Sequence, residues 1–303
     1  VPVSAVAFAP STTDTAALSS PARPVEEVAV PPIDYLVLRT LRRWAPQSIV
    51  EWMLDRDVVL RAGRDTVNPE FSIKTYREAG DRSAKSIVGS DVLVFGFGGS
   101  FGVALALLEA GAAHVYLQDP YAPVRHARNR RLPAERMAKF FRGGPTAWEA
   151  DPSRVTIVRE QLPEFAASHA DCADWIVSSS VFEHVDEVEA NVAACARITR
   201  PGGINVHQID LRDHLFKYPF EMLCYSESTW RRWLNASNNL NRWRAPRYEE
   251  AFRKHFGDVR VRRVKSLPEQ FARAKGRIRK EFLTGDDELD SCGVIVVEAM
   301  QPE

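Results

Sequence analysis

DVLVFGFGGSFGVALALLEAGAAHVYLQD (residues 91–119) is the stretch on which the fold turns. DVLVFG (91–96) is a short apolar run that stops at a glycine. FGVALALLEAG (101–111) is an almost wholly apolar helical run closed by Gly111, and HVYLQD (114–119) is strand-like again. Between the first strand and the helix the chain turns through Gly96, Phe97, Gly98, Gly99 and Ser100. Glycines belong there because a tight strand-to-helix turn needs unusual backbone angles, and because a ligand can then approach the backbone with no Cβ in its way. The following helix start offers N–H groups and a partial positive charge to an anionic group. Asp119 closes the second strand, where a carboxylate can accept hydrogen bonds from both ribose hydroxyls of an adenosine. The dinucleotide fingerprint wants a small residue at the position of Phe101, but the next glycine here is Gly102. A bulky Phe there would crowd a pyrophosphate, so the departure favours a ligand without one.

The pattern continues outward. After two basic helical pieces (122–142) come the strands VTIVRE (155–160) and DWIVSSS (174–180), a helix over 185–200, and the strand GINVHQID (203–210). A Trp/Arg/Asn-rich insertion at about 213–245 interrupts the alternation. A helix (246–256), a strand (258–264), a basic helical segment (268–283) and a last strand CGVIVVEAM (292–300) then follow. Mostly apolar strands alternating with helices predict an α/β domain with a parallel sheet covered on both faces. Upstream, residues 1–31 read as a flexible arm rich in Ala, Ser, Thr and Pro, and 32–88 as an N-terminal helical segment. Its apolar stripes are Leu36, Leu38, Leu41 and Trp44, then, past Pro46, Ile49, Trp52, Met53 and Leu54. The domain proper spans 89–303.

Bulk properties exclude more than they specify. Forty basic and forty acidic residues cancel, so the chain as a whole makes no electrostatic case for nucleic acid or a membrane surface. A hydrophobic content of 45% suits a real core. Cys172, Cys195, Cys224 and Cys292 lie far apart without ligand-like spacing, as expected of reduced thiols. No apolar run approaches the ~20 residues of a membrane span, and the first residues make a poor signal peptide. A cytoplasmic protein is expected, with its oligomeric state left open.

The ordered motifs carry a resemblance. Residues 91–119 resemble the first motif of class I S-adenosylmethionine (SAM)-dependent methyltransferases. DWIVSSSVFEHVDEV resembles the fourth-strand motif of that family, and ARITRPGGINVHQID resembles the helix, Arg-Pro-Gly-Gly turn and fifth strand that follow. The resemblance implies a Rossmann-like, doubly wound, mostly parallel seven-stranded sheet with N-terminal helices and an inserted helical cover. It also implies S-adenosyl-L-methionine as cofactor. By position, Gly96, Phe97, Gly98 and Gly99 would line its methionyl and ribose part, and Asp119 would bind the ribose. Glu160 and Gln161, with Leu162, would face the adenine, and Ser178 to Ser180 would lie beneath the sulfonium. Two departures stand out: Val94 replaces a frequent acidic residue and Ser100 a frequent glycine. They keep open a catalytically silent, methyltransferase-like binding subunit. A nucleotide-dependent oxidoreductase is the other alternative.

The acceptor side draws on the fifth strand and the insertion, where enzymes of this architecture bind their second ligand. A hydroxyl acceptor needs a base, and His207, Asp210 and His214 are the candidates, with His184 in reserve. Glu183 and His184 equally suit a purely turn-setting role. No metal site is expected, because a strand exit does not obviously converge His207, Asp210 and His214. In the insertion Trp230, Arg242 and Arg244 are candidates to hold a small-molecule or sugar acceptor by stacking and hydrogen bonding. SESTWRRWLNA would equally suit an amphipathic helix, capped by Ser226 or Ser228, whose tryptophans dock on the core.

Overall fold

A computed structural model describes residues 31–44, 69–215, 217–235 and 239–302. The arm (1–31), apart from Pro31, and the second apolar stripe, Ile49 to Leu54, lie outside these residues, as do the side chains of Leu41 and Trp44. A seven-stranded sheet organises the rest. Its strands are β1 (Asp91–Phe95), β2 (His114–Gln118), β5 (Val155–Val158), β6 (Ala173–Ser179), β7 (Thr199–Asp210), β8 (Phe256–Ser266) and β9 (Cys292–Pro302). The strand order is β5-β2-β1-β6-β7-β9-β8. β5, β2, β1, β6 and β7 run parallel, while β9 is antiparallel to both β7 and β8.

Alternation along the strands explains the layers. In β1, Leu93 and Phe95 enter one core and Val92 and Val94 the other. The first core is closed by helices α3 (Leu162–Ser168), α4 (Val188–Ile198) and α5 (Ala245–Arg253). The second is closed by α1 (Glu70–Ser83) and α2 (Gly102–Glu109). A strand buried on both faces has no side that must be polar, which is why these strands read as near-continuous apolar runs.

Two parts depart from the expected layout. The two basic helical pieces of 122–142 shrink to single helical turns at His126–Asn129 and Ala134–Met137, and an unexpected hairpin, β3 (Phe141–Gly144) with β4 (Ala147–Ala150), follows them. Phe141 and Trp148 are buried in the second core, and Gly143, opposite Trp148 in register, has a positive φ and no room for a Cβ beside the Ala147 carbonyl. The 213–245 insertion is not a loose cover. Phe220, Met222, Leu223, Trp230, Leu234 and Leu240 build a third core with Phe271 and Ala274 of the helix Pro268–Lys275 and with Ile278. A helix over Ile33–Trp44 packs against this region.

The parallel core places every loop of interest at one edge. The segments after β1, β2, β5, β6 and β7 all leave from carboxyl ends of neighbouring strands. Between β1 and β6 the winding direction reverses, and the crevice outside such a switch point is where this architecture binds ligands.

Candidate functional site

The first half of the site is the glycine turn. Gly96, Gly98 and Gly99 all have positive φ. At Gly96 an added Cβ would come within 2.4 Å of Val181 Cγ2, and at Gly99 within 2.1 Å of the Pro123 carbonyl. These two glycines are required by packing of the turn on the β6 exit and on residues 123–125. At Gly98 a Cβ would meet nothing within 4 Å, so this position faces open space. The Gly98 N–H donates to Asp119 Oδ2 (3.1 Å), while Asp119 Oδ1 accepts from the N–H groups of Tyr121 (3.0 Å) and Ala122 (2.9 Å). One carboxylate thereby ties the first loop to the second.

Around this pair the expected adenine-facing residues separate. Glu160 is exposed, and its carbonyl accepts from Gln118 Nε2 at 2.7 Å. Gln161 caps α3 in a reciprocal box with Glu164 and donates from Nε2 to the Tyr121 hydroxyl at 2.7 Å. Tyr121, 81% exposed, is a residue that sequence reasoning missed; its place two residues after Asp119 was the available signal. Phe97 is buried in the second core. Phe101 is fully buried and stacks on Phe141 with ring centroids 4.8 Å apart. Its ring points away from the ligand side, so it does not bar a pyrophosphate, and that argument against a dinucleotide falls.

The second half of the site lies at the exits of β6 and β7, where the expected base residues are rearranged. His207 is completely buried in the sheet, opposite Ser178 in register, with its Nδ1 paired to Ser178 Oγ at 2.8 Å. Burial lowers its pKa to about 3. Neither His207 nor Ser178 faces a ligand, which corrects both assignments: β7 is a central strand, and a polar pair there satisfies itself. Ser180 stays at the edge, partly exposed, with positive φ (54°). Asp210 is clamped by Arg212, whose Nε and Nη2 donate at 2.8 and 2.6 Å to its two oxygens. It is not presented to an acceptor.

His184 and His214 do come together. Their rings meet edge to face with centroids 4.8 Å apart, both partly exposed. Glu183 is buried beside them, with neither carboxylate oxygen in hydrogen-bond geometry to any donor. Burial, with the Asp210 charge adding to it, pushes its carboxyl well above the usual carboxylate range, against a weaker opposing pull from nearby backbone N–H groups and the Ser180 hydroxyl. The donor atoms of Glu183, His184 and His214 all lie within 4.8 Å of one another. Asn241 holds the turn that presents the first two. Its Nδ2 donates to the carbonyls of Phe182 (2.7 Å) and Val185 (2.9 Å), and its N–H to that of Glu183 (2.9 Å).

The three substrate candidates of the insertion turn inward instead. Trp230 is buried, with its indole N–H donating to the Leu240 carbonyl at 3.1 Å. Arg242 Nη1 donates to the carbonyls of Met222 (3.0 Å) and Tyr225 (2.7 Å), and its Nη2 pairs with Glu227. Arg244 is held by the carbonyls of Leu211 (2.8 Å), Asp290 (3.0 Å) and Cys292 (2.6 Å), and burial lowers its pKa to about 10. Each guanidinium donates to backbone carbonyls of its own chain, so these side chains bind the protein itself. Sequence reasoning also missed Arg39 and Tyr35, both fully buried. Arg39 pairs with Asp213 and lies 4.9 Å over the Trp230 ring, while the Tyr35 hydroxyl donates to Asp213 at 2.6 Å.

A doubly wound sheet carries at one edge an open glycine turn tied to an acidic strand end and a second polar cluster across the switch point, the layout of a nucleotide-type α/β crevice. Comparison with known proteins narrows this. Residues 78–274, more than half of the chain, match a family model described as a methyltransferase domain, and the chain belongs to that family. The chain is 32% identical over 123 residues to the ubiquinone biosynthesis O-methyltransferase of Aromatoleum aromaticum. That match covers 41% of this chain and 44% of the relative, so it spans less than half of the relative's length. Among solved structures, the chain is similar to a putative sarcosine dimethylglycine methyltransferase from Galdieria sulphuraria, with 14% identity, TM-score 0.49 and coverage of 84% and 97% of the two chains. It is also similar to phosphoethanolamine N-methyltransferase 2 of Haemonchus contortus, with 16% identity, TM-score 0.47 and coverage of 77% and 53%. No helix among the described residues is long and apolar enough to cross a membrane.

Proposed function

We propose that this chain is a SAM-dependent methyltransferase that moves a methyl group to an oxygen, with nitrogen as the lesser alternative, of a small-molecule or glycan acceptor. The observation that carries the reading is the open face at Gly98, whose N–H is bound to Asp119 across the β1 and β2 exits. Family membership favours this ligand over a nicotinamide dinucleotide. The name of the Aromatoleum relative supports oxygen as the acceptor atom. The inward turn of Trp230, Arg242 and Arg244 removes the features that pointed to a sugar in particular, and a small hydroxyl compound is the simpler acceptor.

The residues present fit the cofactor. The space in front of Gly98 lets the methionyl part approach backbone, and Asp119 keeps lone pairs for ribose hydroxyls. Gln161 and Tyr121 would border the adenine, and Glu160 lies beside them. The cofactor, when bound, supplies a methyl group already electrophilic on a sulfonium. The protein must then align the acceptor and dispose of its proton. His184, His214 and Glu183, at the exits of β6 and β7, are the groups proposed to receive the acceptor oxygen there. A transfer assay with methyl-labelled SAM and a panel of hydroxyl compounds tests the reading. Label should enter an acceptor oxygen. Tight SAM binding with no transfer to any acceptor would support the silent-subunit alternative instead.

A further inference from the structure

We propose that Glu183, His184 and His214 form a binding site for a divalent transition-metal cation, set where the acceptor oxygen is received. The cation site stands on the three side chains; only its use toward the acceptor rests on the methyl-transfer reading above. The three ligand atoms lie within 4.8 Å of one another. Ligands around a cation bound at about 2.0–2.2 Å stand about 3–3.5 Å apart, so small rotations of the two partly exposed imidazoles close the set. Glu183 supplies an independent observation. It is 3% exposed and neither carboxylate oxygen is in hydrogen-bond geometry to a donor, an arrangement that burial makes costly until something positive faces it.

The supports are built for a fixed geometry. Asn241 takes three carbonyls of the Phe182–Val185 turn, which fixes Glu183 and His184 from one side. On the other side His214 follows Asp213, whose carboxylate is anchored by Tyr35, Arg39 and the Leu215 N–H (2.8 Å). Such outer partners orient metal ligands and tune their affinity. Two imidazole nitrogens and one carboxylate oxygen suit Zn²⁺, Co²⁺, Ni²⁺, Fe²⁺ or Mn²⁺, whereas Mg²⁺ and Ca²⁺ prefer all-oxygen sets. Three protein ligands with an accessible side leave coordination positions for water or an acceptor oxygen, the mark of a site that works rather than one that only braces the fold. The sequence offered His207 and Asp210 as the neighbours of His214, and the structure replaces them with Glu183 and His184.

The test titrates the full chain, freed of metal by a chelator, with Co²⁺ followed by its visible absorption. Wild-type protein should bind one Co²⁺ per chain with a nitrogen/oxygen-type spectrum that Zn²⁺ displaces. His214→Ala and Glu183→Gln should each weaken Co²⁺ at least tenfold, while His126→Ala, outside the cluster, should leave it unchanged. SAM binding by calorimetry is measured on the same samples. Lost Co²⁺ with retained SAM binding in His214→Ala supports the site and shows a folded protein, even if Glu183→Gln proves unstable. Absence of Co²⁺ binding in the wild type, or equal affinity in His214→Ala, overturns the cation site and leaves the methyltransferase reading standing. Co²⁺ binding by a chain that ignores SAM overturns that reading and not this one.

Discussion

His184 and His214 leave different strands of the sheet yet meet edge to face, 4.8 Å between ring centroids and 66° between ring planes. The contact exists because β6 and β7 are parallel neighbours, so the segments leaving their carboxyl ends land at the same edge. Each imidazole is held by backbone fixed elsewhere, His184 through Asn241 and His214 through the buried Asp213. The proposed acceptor end therefore depends on residues remote from it in sequence.

Asn241 is the first of these. Replacing it with Ala leaves the Phe182 and Val185 carbonyls without their donor and removes the acceptor for the Trp243 N–H (3.0 Å) and the Tyr248 hydroxyl (3.1 Å). Loss of these partly buried bonds should cost about 1–3 kcal/mol of stability in urea unfolding. At temperatures where the variant remains folded, methyl transfer should fall more than SAM binding.

The cofactor end makes a separate prediction. Asp119→Ala should weaken SAM binding by about 1–3 kcal/mol in calorimetry, since a charged acceptor is lost from the ribose position and the Gly98 loop is untied. Gly98→Val should bind less well still. A β-branched residue is strained at φ +62°, and its side chain would fill the open space before the loop. Wild-type affinity in both variants would place the cofactor elsewhere.

Acid stability should carry the mark of His207. Its folded pKa lies near 3, below its ordinary value of 6.5, because burial disfavours the charged form. The unfolded chain therefore binds the extra proton first. The contribution is complete above pH 6.5 and is lost as pH falls from 6.5 toward 3, at up to about 1.4 kcal/mol per pH unit. His207→Gln cannot titrate, so its unfolding free energy should fall less steeply across that window. Equal slopes for variant and wild type would mean that His207 is accessible to protons in the folded state.

Arg39 and Arg244 should prove to be stability residues. Arg39→Ala leaves Asp213 as an uncompensated buried carboxylate, a change that costs about 3–5 kcal/mol where such pairs are broken. Arg244→Ala strips three carbonyls of their donors. Both variants should lower the melting temperature, with KM for the acceptor little changed in whatever remains folded. A large rise in KM at unchanged melting temperature would return these arginines to the acceptor site.

The strands, the glycine turn and the Asp119 position were legible because each derives from local rules: apolar runs, glycine punctuation and strand-end chemistry. The β3–β4 hairpin was not, since Phe141 and Trp148 are separated by Arg, Gly, Pro and Thr and show no apolar alternation until the two strands pair. His207 read as a base because alternation says which face a residue takes, and not whether a further layer covers that face. Here α5 covers it, with the Phe252 ring centroid 5.3 Å from that of the imidazole. Trp230, Arg242 and Arg244 expose the same limit. An Arg-rich aromatic segment shows that carbonyls or anions will be bound, while only the fold reveals that the carbonyls are the protein's own. Glu183 and His184 had their alternatives left open in sequence, because His214 had first to be brought to them by β7.

The central claim is cofactor class, and calorimetric titration of the full chain with S-adenosylhomocysteine and with NADPH tests it most directly. The account predicts one saturable site for S-adenosylhomocysteine, weakened in Asp119→Ala, and no binding heat with NADPH. Saturable binding of NADPH, with none of S-adenosylhomocysteine, would contradict it.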